Sequence, residues 1–259
     1  MTTLLWDSWA EVGPRLSEAR PLLACFDYDG TLTPIVANVE DAIATEEVRQ
    51  ALRQMSSNEG VVGAVVSGRT MNSLMGLVPR EALWLIGHHG LSVRSPQGEL
   101  SCLIDLEEAE RQLEPLRATG RRIVAESPGL RLEDKGAGLA LHTRNASRQA
   151  AERAAAAFCK EAEKLDGFSL LRGKEVYEVR PAGADKGRAI LSLRQKAAPG
   201  SLVLYVGDDT TDEDAFQALR DLPAITVKVS EDVVATAAQY RVQDTEDVLD
   251  LLRRISLER

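Results

Sequence analysis

The sequence predicts an α/β fold: a parallel sheet covered on both faces, with an α+β segment inserted near the middle of the chain. Two observations carry this expectation. Short apolar runs rich in Val and Leu alternate with stretches of helical periodicity, the pattern of a parallel sheet whose strands are buried on both sides. The alternation breaks between about Cys102 and Pro181, where polar-apolar strands and an Ala-rich helix take over.

The elements follow in order. Trp6, Trp9, Val12 and Leu16 recur at helical spacing and predict an amphipathic helix that ends by Pro21. Leu22 to Phe26 reads as a buried strand that runs into a loop of Asp, Gly and Thr. Thr45 caps a helix with Glu46 and Glu47 in its first turn, where acids favour the dipole. Val61 to Val66 is a second strand, and Ser67-Gly68-Arg69 ends it and opens another helix. Leu83 to Ile86, Val203 to Val206 and Ile225 to Val229 complete the strands, with Ser230, Glu231 and Asp232 starting a helix after the last. The expected domains are residues 1–101 with 182–259 for the sheet, and 102–181 for the insert.

Within the insert, a helix is expected near Leu106, Ala109 and Leu113. A strand pair, Leu130 to Glu133 and Leu139 to Arg144, is joined by a turn with Asp134, Lys135 and Gly136. A long helix carries Ala151, Ala154, Ala155, Phe158, Ala162 and Leu165 on one face, and Gly167 closes it. A last strand runs from Leu170 to Arg180. Residues two apart share a strand face, which groups Lys174, Glu178 and Arg180, and likewise His142 with Arg144. Tyr177 with Val179, and Leu139 with Leu141, fall on the opposite faces and suit packing against helices. The insert is expected to act as a lid over the sheet's edge.

The chemically rich segments all follow strands, and in parallel sheets ligands bind at the strands' carboxyl ends. Asp27-Tyr28-Asp29-Gly30 places two carboxylates two residues apart, with Gly30 free to turn sharply. One carboxylate can attack phosphorus and the other can serve as acid and then base. Gly207-Asp208-Asp209-Thr210-Thr211-Asp212 is a second acidic cluster. Surplus helix-capping acids account for Asp212 and Glu213 but poorly for Asp208 and Asp209 on the strand side; a hard dication with oxygen ligands accounts for all. Lys186 sits in the first turn of a helix capped by Asp185, where the dipole disfavours a cation. A lysine beside the free N–H groups of a helix start makes a phosphate site. Ser67, Gly68 and Arg69 offer a hydroxyl, a bare backbone and a guanidinium, which suit phosphoryl oxygens.

These segments, in this order, resemble the haloacid dehalogenase superfamily, and one branch closely: the trehalose-6-phosphate phosphatases. The likeness rests on DYDGTLTPI from Asp27, VVSGR from Val65, GHHG from Gly87, EDKG from Glu133, LHTR from Leu141, GKEVYEVRP from Gly173, KG at Lys186 and GDDTTDEDAF from Gly207. The resemblance implies a Rossmann-like core of haloacid dehalogenase type with an inserted α+β cap. It implies Asp27 as nucleophile, Asp29 as general acid and base, and Ser67 and Lys186 gripping the phosphoryl group, with Arg69 beside them. It implies Mg2+ held by the Asp27 carboxylate, the Asp29 carbonyl and Asp208, with Asp212 acting through water. Glu133, Arg144, Lys174 and Glu178 would read the sugar, and His88 stands where the family often has Asn. The His142-Thr143-Arg144 segment also departs from the family's HYR. The expected reaction is hydrolysis of trehalose 6-phosphate. Alternatives are another glycosyl phosphate (of glucosylglycerol or a pseudo-disaccharide), a phosphomutase, or a catalytically silent sensor, the last disfavoured because Asp27, Asp29, Lys186 and Asp208 are all present.

Composition narrows the partners. A net charge of −9 argues against nucleic acid, so an anionic substrate needs a local positive site. The longest apolar runs, such as Val61 to Val66, fall far short of the ~20 residues that span a bilayer. Asp7 and Glu11 occupy the stretch where a signal peptide would be apolar. Cys25, Cys102 and Cys159 are widely spaced and odd in number, as reduced thiols are. The expectation is a soluble cytoplasmic monomer that binds a small sugar phosphate, and neither nucleic acid nor membrane.

Overall fold

The structure, a computed structural model, describes residues 2–36, 39–173 and 175–257. In chain order the elements are β1 (Thr3–Leu4), α1 (Trp9–Glu18), β2 (Leu22–Asp27), α2 (Glu46–Ser57), β3 (Val61–Val66), α3 (Met71–Leu77), β4 (Trp84–Gly87), β5 (Ser92–Arg94) and β6 (Leu100–Cys102). Then come α4 (Leu106–Gln112), α5 (Glu114–Glu126), β7 (Arg131–Asp134), β8 (Leu139–His142), α6 (Arg148–Ala162), β9 (Phe168–Gly173) and β10 (Val176–Pro181). The chain closes with α7 (Lys186–Ala197), β11 (Leu202–Gly207), α8 (Asp212–Ala218), β12 (Ala224–Val229), β13 (Tyr240–Val242) and α9 (Thr245–Leu257). Two compact units result: Met1–Ser101 with Asp185–Arg259, and Cys102–Ala184.

In the first unit a nine-stranded sheet runs β1-β13-β12-β11-β2-β3-β4-β5-β6. Pairing is parallel from β1 through β4, and β5 joins antiparallel. Alternate residues of β2 enter different cores. Leu22, Ala24 and Phe26 pack with α1, α2 and α9, whereas Leu23 and Cys25 pack with α7 and α8. Every position of β2 is therefore apolar or buried, which is why it reads as an unbroken run. The chain leaves β2 towards β3 on one side and returns at β11 on the other. That junction is the topological switch at which such sheets bind ligands. No helix among the described residues is long and apolar enough to cross a membrane.

The second unit is a four-stranded antiparallel sheet, β7-β8-β10-β9, with helices on one face. Leu139, Leu141 and Val179 point into a core with Leu113, Leu116, Ile123, Ala154 and Phe158.

Several local expectations need correction. Leu170 to Arg180 is not one strand but the hairpin β9–β10, whose turn follows the Gly173–Val176 pair; Glu175 there takes a φ of +61°. The segment opened by Ser230 is irregular rather than helical, and leaves Val233 and Val234 exposed. Thr70, not Ser67-Gly68-Arg69, caps α3 by accepting from the Ser73 N–H, so the tripeptide lies in the loop before the helix. Helix α6 stops at Ala162 and leaves Gly167 in the turn before β9. A second helix, α5, follows α4 without a gap because Leu113 serves both as end and as start.

Candidate active site

Strand β2 delivers Asp27 to the carboxyl edge of the sheet, where it is 4% exposed. The chain then folds back within a few residues. The N–H groups of Leu32 and Thr33 both donate to the Tyr28 carbonyl, and the Gly30 N–H donates to the Thr33 carbonyl. Gly30 takes a φ of +80°, and a Cβ there would strike the Asp208 carboxylate. Glycine is thus required twice over, by backbone conformation and by the closeness of a second acid.

The other acids arrive from β11 and α8. Asp208 follows β11, and Thr31 Oγ1 lies 3.4 Å from its Oδ1. Asp212, fully buried, opens α8. It accepts from Tyr205 Oη at 2.6 Å and from the Asp209 N–H at 2.9 Å. Lys186, 2% exposed, comes from the start of α7, where Asp185 accepts from the Arg188 N–H as N-cap. Its Nζ donates at 2.7 Å to Asp27 Oδ1 and at 2.7 Å to Asp212 Oδ1. The cation that the helix dipole disfavours is thus held by two buried carboxylates, so the dipole penalty is the smaller effect.

Oxygen atoms of Asp27, Asp208 and Asp212 lie within 4.8 Å of one another. Burial pushes the Asp27 carboxyl well up, and Asp212 and Asp208 add to the rise against the opposing pull of Lys186. Burial, with Asp212 and Asp209 beside it, raises Asp208 to about 7. Burial works against the charge on Lys186, but Asp212 and Asp27 outweigh it and its pKa rises. Lys186 therefore bonds two of the three carboxylates, and burial makes it costly for all three to carry charge at once. The donor set is all oxygen. Both facts fit a hard divalent cation such as Mg2+, which takes carboxylate oxygens and keeps other positions for water and phosphate.

Asp29 is not part of this cluster. Its carboxylate accepts from Arg69 Nε at 2.8 Å and from Arg69 Nη2 at 2.6 Å. Arg69 Nη2 also donates to the Val39 carbonyl, and the guanidinium lies 5.1 Å from the centre of the Tyr28 ring. Arg69 is thus committed to Asp29 and its loop. Ser67 is buried at the end of β3, and its hydroxyl accepts from the Arg69 N–H. His88 and His89 close the same loop, donating their N–H groups to the Arg69 and Ser67 carbonyls. His88 Nδ1 lies 2.9 Å from Ser92 Oγ, and burial lowers its pKa.

In the second unit, Glu133 and Glu178 share the sheet face away from the helices, whereas Arg144 lies beyond the end of β8, exposed, with Nε 3.4 Å from Glu175 Oε2. Glu133 Oε2 accepts from His142 Nε2 at 2.8 Å, and Glu178 Oε1 from Lys135 Nζ at 3.1 Å. Lys174 lies outside the described residues. Sequence reasoning passed over Tyr205, Lys228, Lys135 and His142 as site residues. Lys228, which donates to the Asp209 carbonyl at 3.0 Å, had a legible signal: a lone cation inside a buried apolar strand. Tyr205 had none, since a tyrosine inside Leu-Val-Leu-Tyr-Val reads as core.

A parallel sheet with Asp27 and Asp208 on adjoining strand ends, a lysine joining Asp27 to Asp212 and a separate α+β unit defines the haloacid dehalogenase class of fold. Within it, residues 25–246 match the trehalose-phosphatase family, and the chain belongs to that family of phosphoric monoester hydrolases. It is 34% identical to a trehalose-phosphate phosphatase of Mycobacterium marinum, over 89% of this chain and 60% of that one. It is 33% identical to a bifunctional trehalose-6-phosphate synthase/phosphatase of Thermoproteus tenax, over 92% of this chain and 32% of that one. The chain thus spans about a third of the second relative's length and under two thirds of the first. The C-terminal domain of trehalose-6-phosphate phosphatase from C. albicans has the same fold: TM-score 0.84, 24% identity, 99% of this chain and 98% of that one covered.

Proposed function

We propose that this chain is a Mg2+-dependent phosphatase that hydrolyses trehalose 6-phosphate to trehalose and phosphate through an aspartyl-phosphate on Asp27. The observation that carries the reading is Asp27 itself: a buried carboxylate at the end of the central strand, one oxygen held by Lys186 and two further acids within 4.8 Å. Asp27, Asp208 and Asp212, with the Asp29 carbonyl, are the residues that would hold the metal, Asp212 through water. Bound Mg2+ would supply positive charge to the phosphoryl oxygens and screen the carboxylates from each other.

Lys186 fixes Oδ1 of Asp27, so Oδ2 is the attacking atom. As it bonds to phosphorus, the bond from phosphorus to the sugar oxygen breaks, with Lys186 and Ser67 beside the phosphoryl oxygens. Asp29, once it has left Arg69 and taken a proton from solvent, gives that proton to the departing sugar oxygen. It takes a proton back from the water that next attacks phosphorus, and Asp27 leaves as a carboxylate. For this Asp29 must exchange its bidentate contact with Arg69 for the leaving oxygen. The motif matches in the second unit support Glu133, Arg144, Lys174 and Glu178 as sugar-binding groups. The three free thiols fit a cytoplasmic setting.

The test is phosphate release from trehalose 6-phosphate, glucose 6-phosphate and 4-nitrophenyl phosphate, with Mg2+ and with EDTA. Metal-dependent release from trehalose 6-phosphate, abolished in a folded Asp27→Asn variant, is the expected result. Release only from the aryl phosphate would move the substrate elsewhere, and full activity of Asp27→Asn would end the covalent scheme.

A further inference from the structure

Strand β12 carries a cation where its neighbours are apolar. Ile225, Val227 and Val229 enter the core shared with α1, α2 and α9, and by alternation Thr226 and Lys228 turn to the side of Ala224. Lys228 pairs with Gly207 on β11, and directly paired residues project to one face. A Cβ on Gly207 would meet the Asp212 carboxylate, so that face backs the acids. Lys228 is 7% exposed, and an ammonium so buried needs compensation.

What it bonds is informative. Its Nζ donates at 3.0 Å to the Asp209 carbonyl, a neutral acceptor, and lies 3.6 Å from Glu213 Oε1. The same carbonyl accepts from the Asp212 N–H at 3.3 Å, and the Asp209 N–H donates to Asp212 Oδ2 at 2.9 Å. The loop from Asp208 to Asp212 is therefore pinned at Asp209. Glu213 is fixed in turn, accepting from Thr236 Oγ1 at 2.7 Å and from the Ala237 N–H at 2.8 Å. The Lys228 charge also reaches Asp208, where it opposes the rise in pKa that burial and the neighbouring acids cause. A lysine present only to cancel charge would bond a carboxylate; this one bonds the backbone that joins two of them.

We propose that Lys228, braced by Glu213, is a positioning residue that sets the metal site's selectivity between small and large dications. It acts through the Asp209 carbonyl, which holds the span between Asp208 and Asp212. Mg2+ takes oxygens at about 2.0–2.1 Å in near-ideal octahedral geometry, whereas Ca2+ accepts about 2.3–2.6 Å and irregular shells. A pinned loop suits the first ion, and a loosened loop costs Mg2+ more than Ca2+. The inference rests on the metal-dependent reading above.

The experiment is calorimetric titration of the substrate-free chain with Mg2+ and with Ca2+, for the wild type, Lys228→Met, Lys228→Arg and Glu213→Gln. Loss of an outer partner should weaken Mg2+ binding by Lys228→Met about ten- to a hundredfold, and Ca2+ binding by less than about threefold. Lys228→Arg, which keeps a charged donor, should recover part of the loss, and Glu213→Gln should show a smaller loss of the same kind. A charge effect alone has the opposite sign, because removing an ammonium beside the acids tightens both dications together. The Mg2+ concentration for half-maximal phosphate release should rise by the same factor on trehalose 6-phosphate and on 4-nitrophenyl phosphate. Unchanged or tighter Mg2+ binding by a folded Lys228→Met variant overturns the inference, as does an equal loss for Mg2+ and Ca2+. If Lys228→Met does not fold, Lys228→Arg and Glu213→Gln decide by the same ratio of the two affinities. A wild-type chain that binds neither ion fails the metal reading instead, and the inference falls with it.

Discussion

Replacing Lys186 with methionine removes the one ammonium between Asp27 and Asp212 while keeping an unbranched side chain. What remains is three carboxylates within 4.8 Å and no cation among them. At an effective dielectric of ~20, two unit charges at that distance repel by about 3.5 kcal/mol. Breaking a buried ion pair by deleting one partner costs about 3–5 kcal/mol. The two figures agree, and both are a large part of a stability of about 5–15 kcal/mol. The sign with pH follows from the carboxyls. Asp27 and Asp208 have folded-state pKa values above their ordinary value, so the folded state holds more protons than the unfolded one in mild acid. Stability from these groups is therefore present at low pH and lost as pH rises through their folded values. The Lys186 pKa is also raised, so its own contribution is constant across this range in the wild type. Urea unfolding of Lys186→Met without metal should show a loss of about 3–5 kcal/mol near about pH 8 and a clearly smaller loss near about pH 5.5. Mg2+ at about a hundred times its Kd should restore about 2.7 kcal/mol at the higher pH. A loss below about 1 kcal/mol, or the same loss at both pH values, would refute the charge argument.

Two further outcomes follow from the same site. Because Asp208 titrates at about 7 without metal, protons compete with Mg2+ for it, and the apparent affinity should fall about tenfold per pH unit below that point. Calorimetric titration checks this, and a flat affinity across mild acid would refute it. Gly30→Ala must place a side chain at a φ of +80° against the Asp208 carboxylate, which should cost about 1–3 kcal/mol and weaken Mg2+ binding together. A variant that loses stability but binds Mg2+ as before would separate the turn from the metal site.

The sheet was legible because its strands are buried on both faces, and a buried parallel strand has no polar side to blur the run from Leu22 to Phe26. Asp27, Lys186, Asp208 and Asp212 were legible because each breaks a local rule: acids crowded at strand ends, a cation at a helix start. The hairpin β9–β10 was hidden for the converse reason. Between Gly173 and Val176 the sequence carries no Gly, Asn or Pro, so the strand pattern runs on unbroken. The contact of Asp29 with Arg69 was equally invisible, because partners forty residues apart in sequence leave no periodicity.

The arrangement at the sheet edge is costly in isolation, and the fold shows what makes it tolerable. Gly30 and Gly207 are each backed against an acid, Asp208 and Asp212, so closely that a Cβ at either position would collide with it. Those two glycines let strand-end backbones carry carboxylates to within metal-ligand distance of each other. The repulsion so stored is opposed by fixed donors rather than by water: Lys186 for two of the acids, and Tyr205 and the Asp209 N–H for Asp212. Those donors are themselves held by elements with large apolar faces, since Tyr205 belongs to the core of α7 and α8. Donors locked this way cannot follow a carboxylate that moves, so they fix Asp212 and one oxygen of Asp27. Among the described residues Asp208 has the longer Thr31 contact as its side-chain hydrogen bond, so it is less fixed and can answer a proton or a metal. Burial and its acidic neighbours raise its pKa to about 7, so metal occupancy should register pH through it.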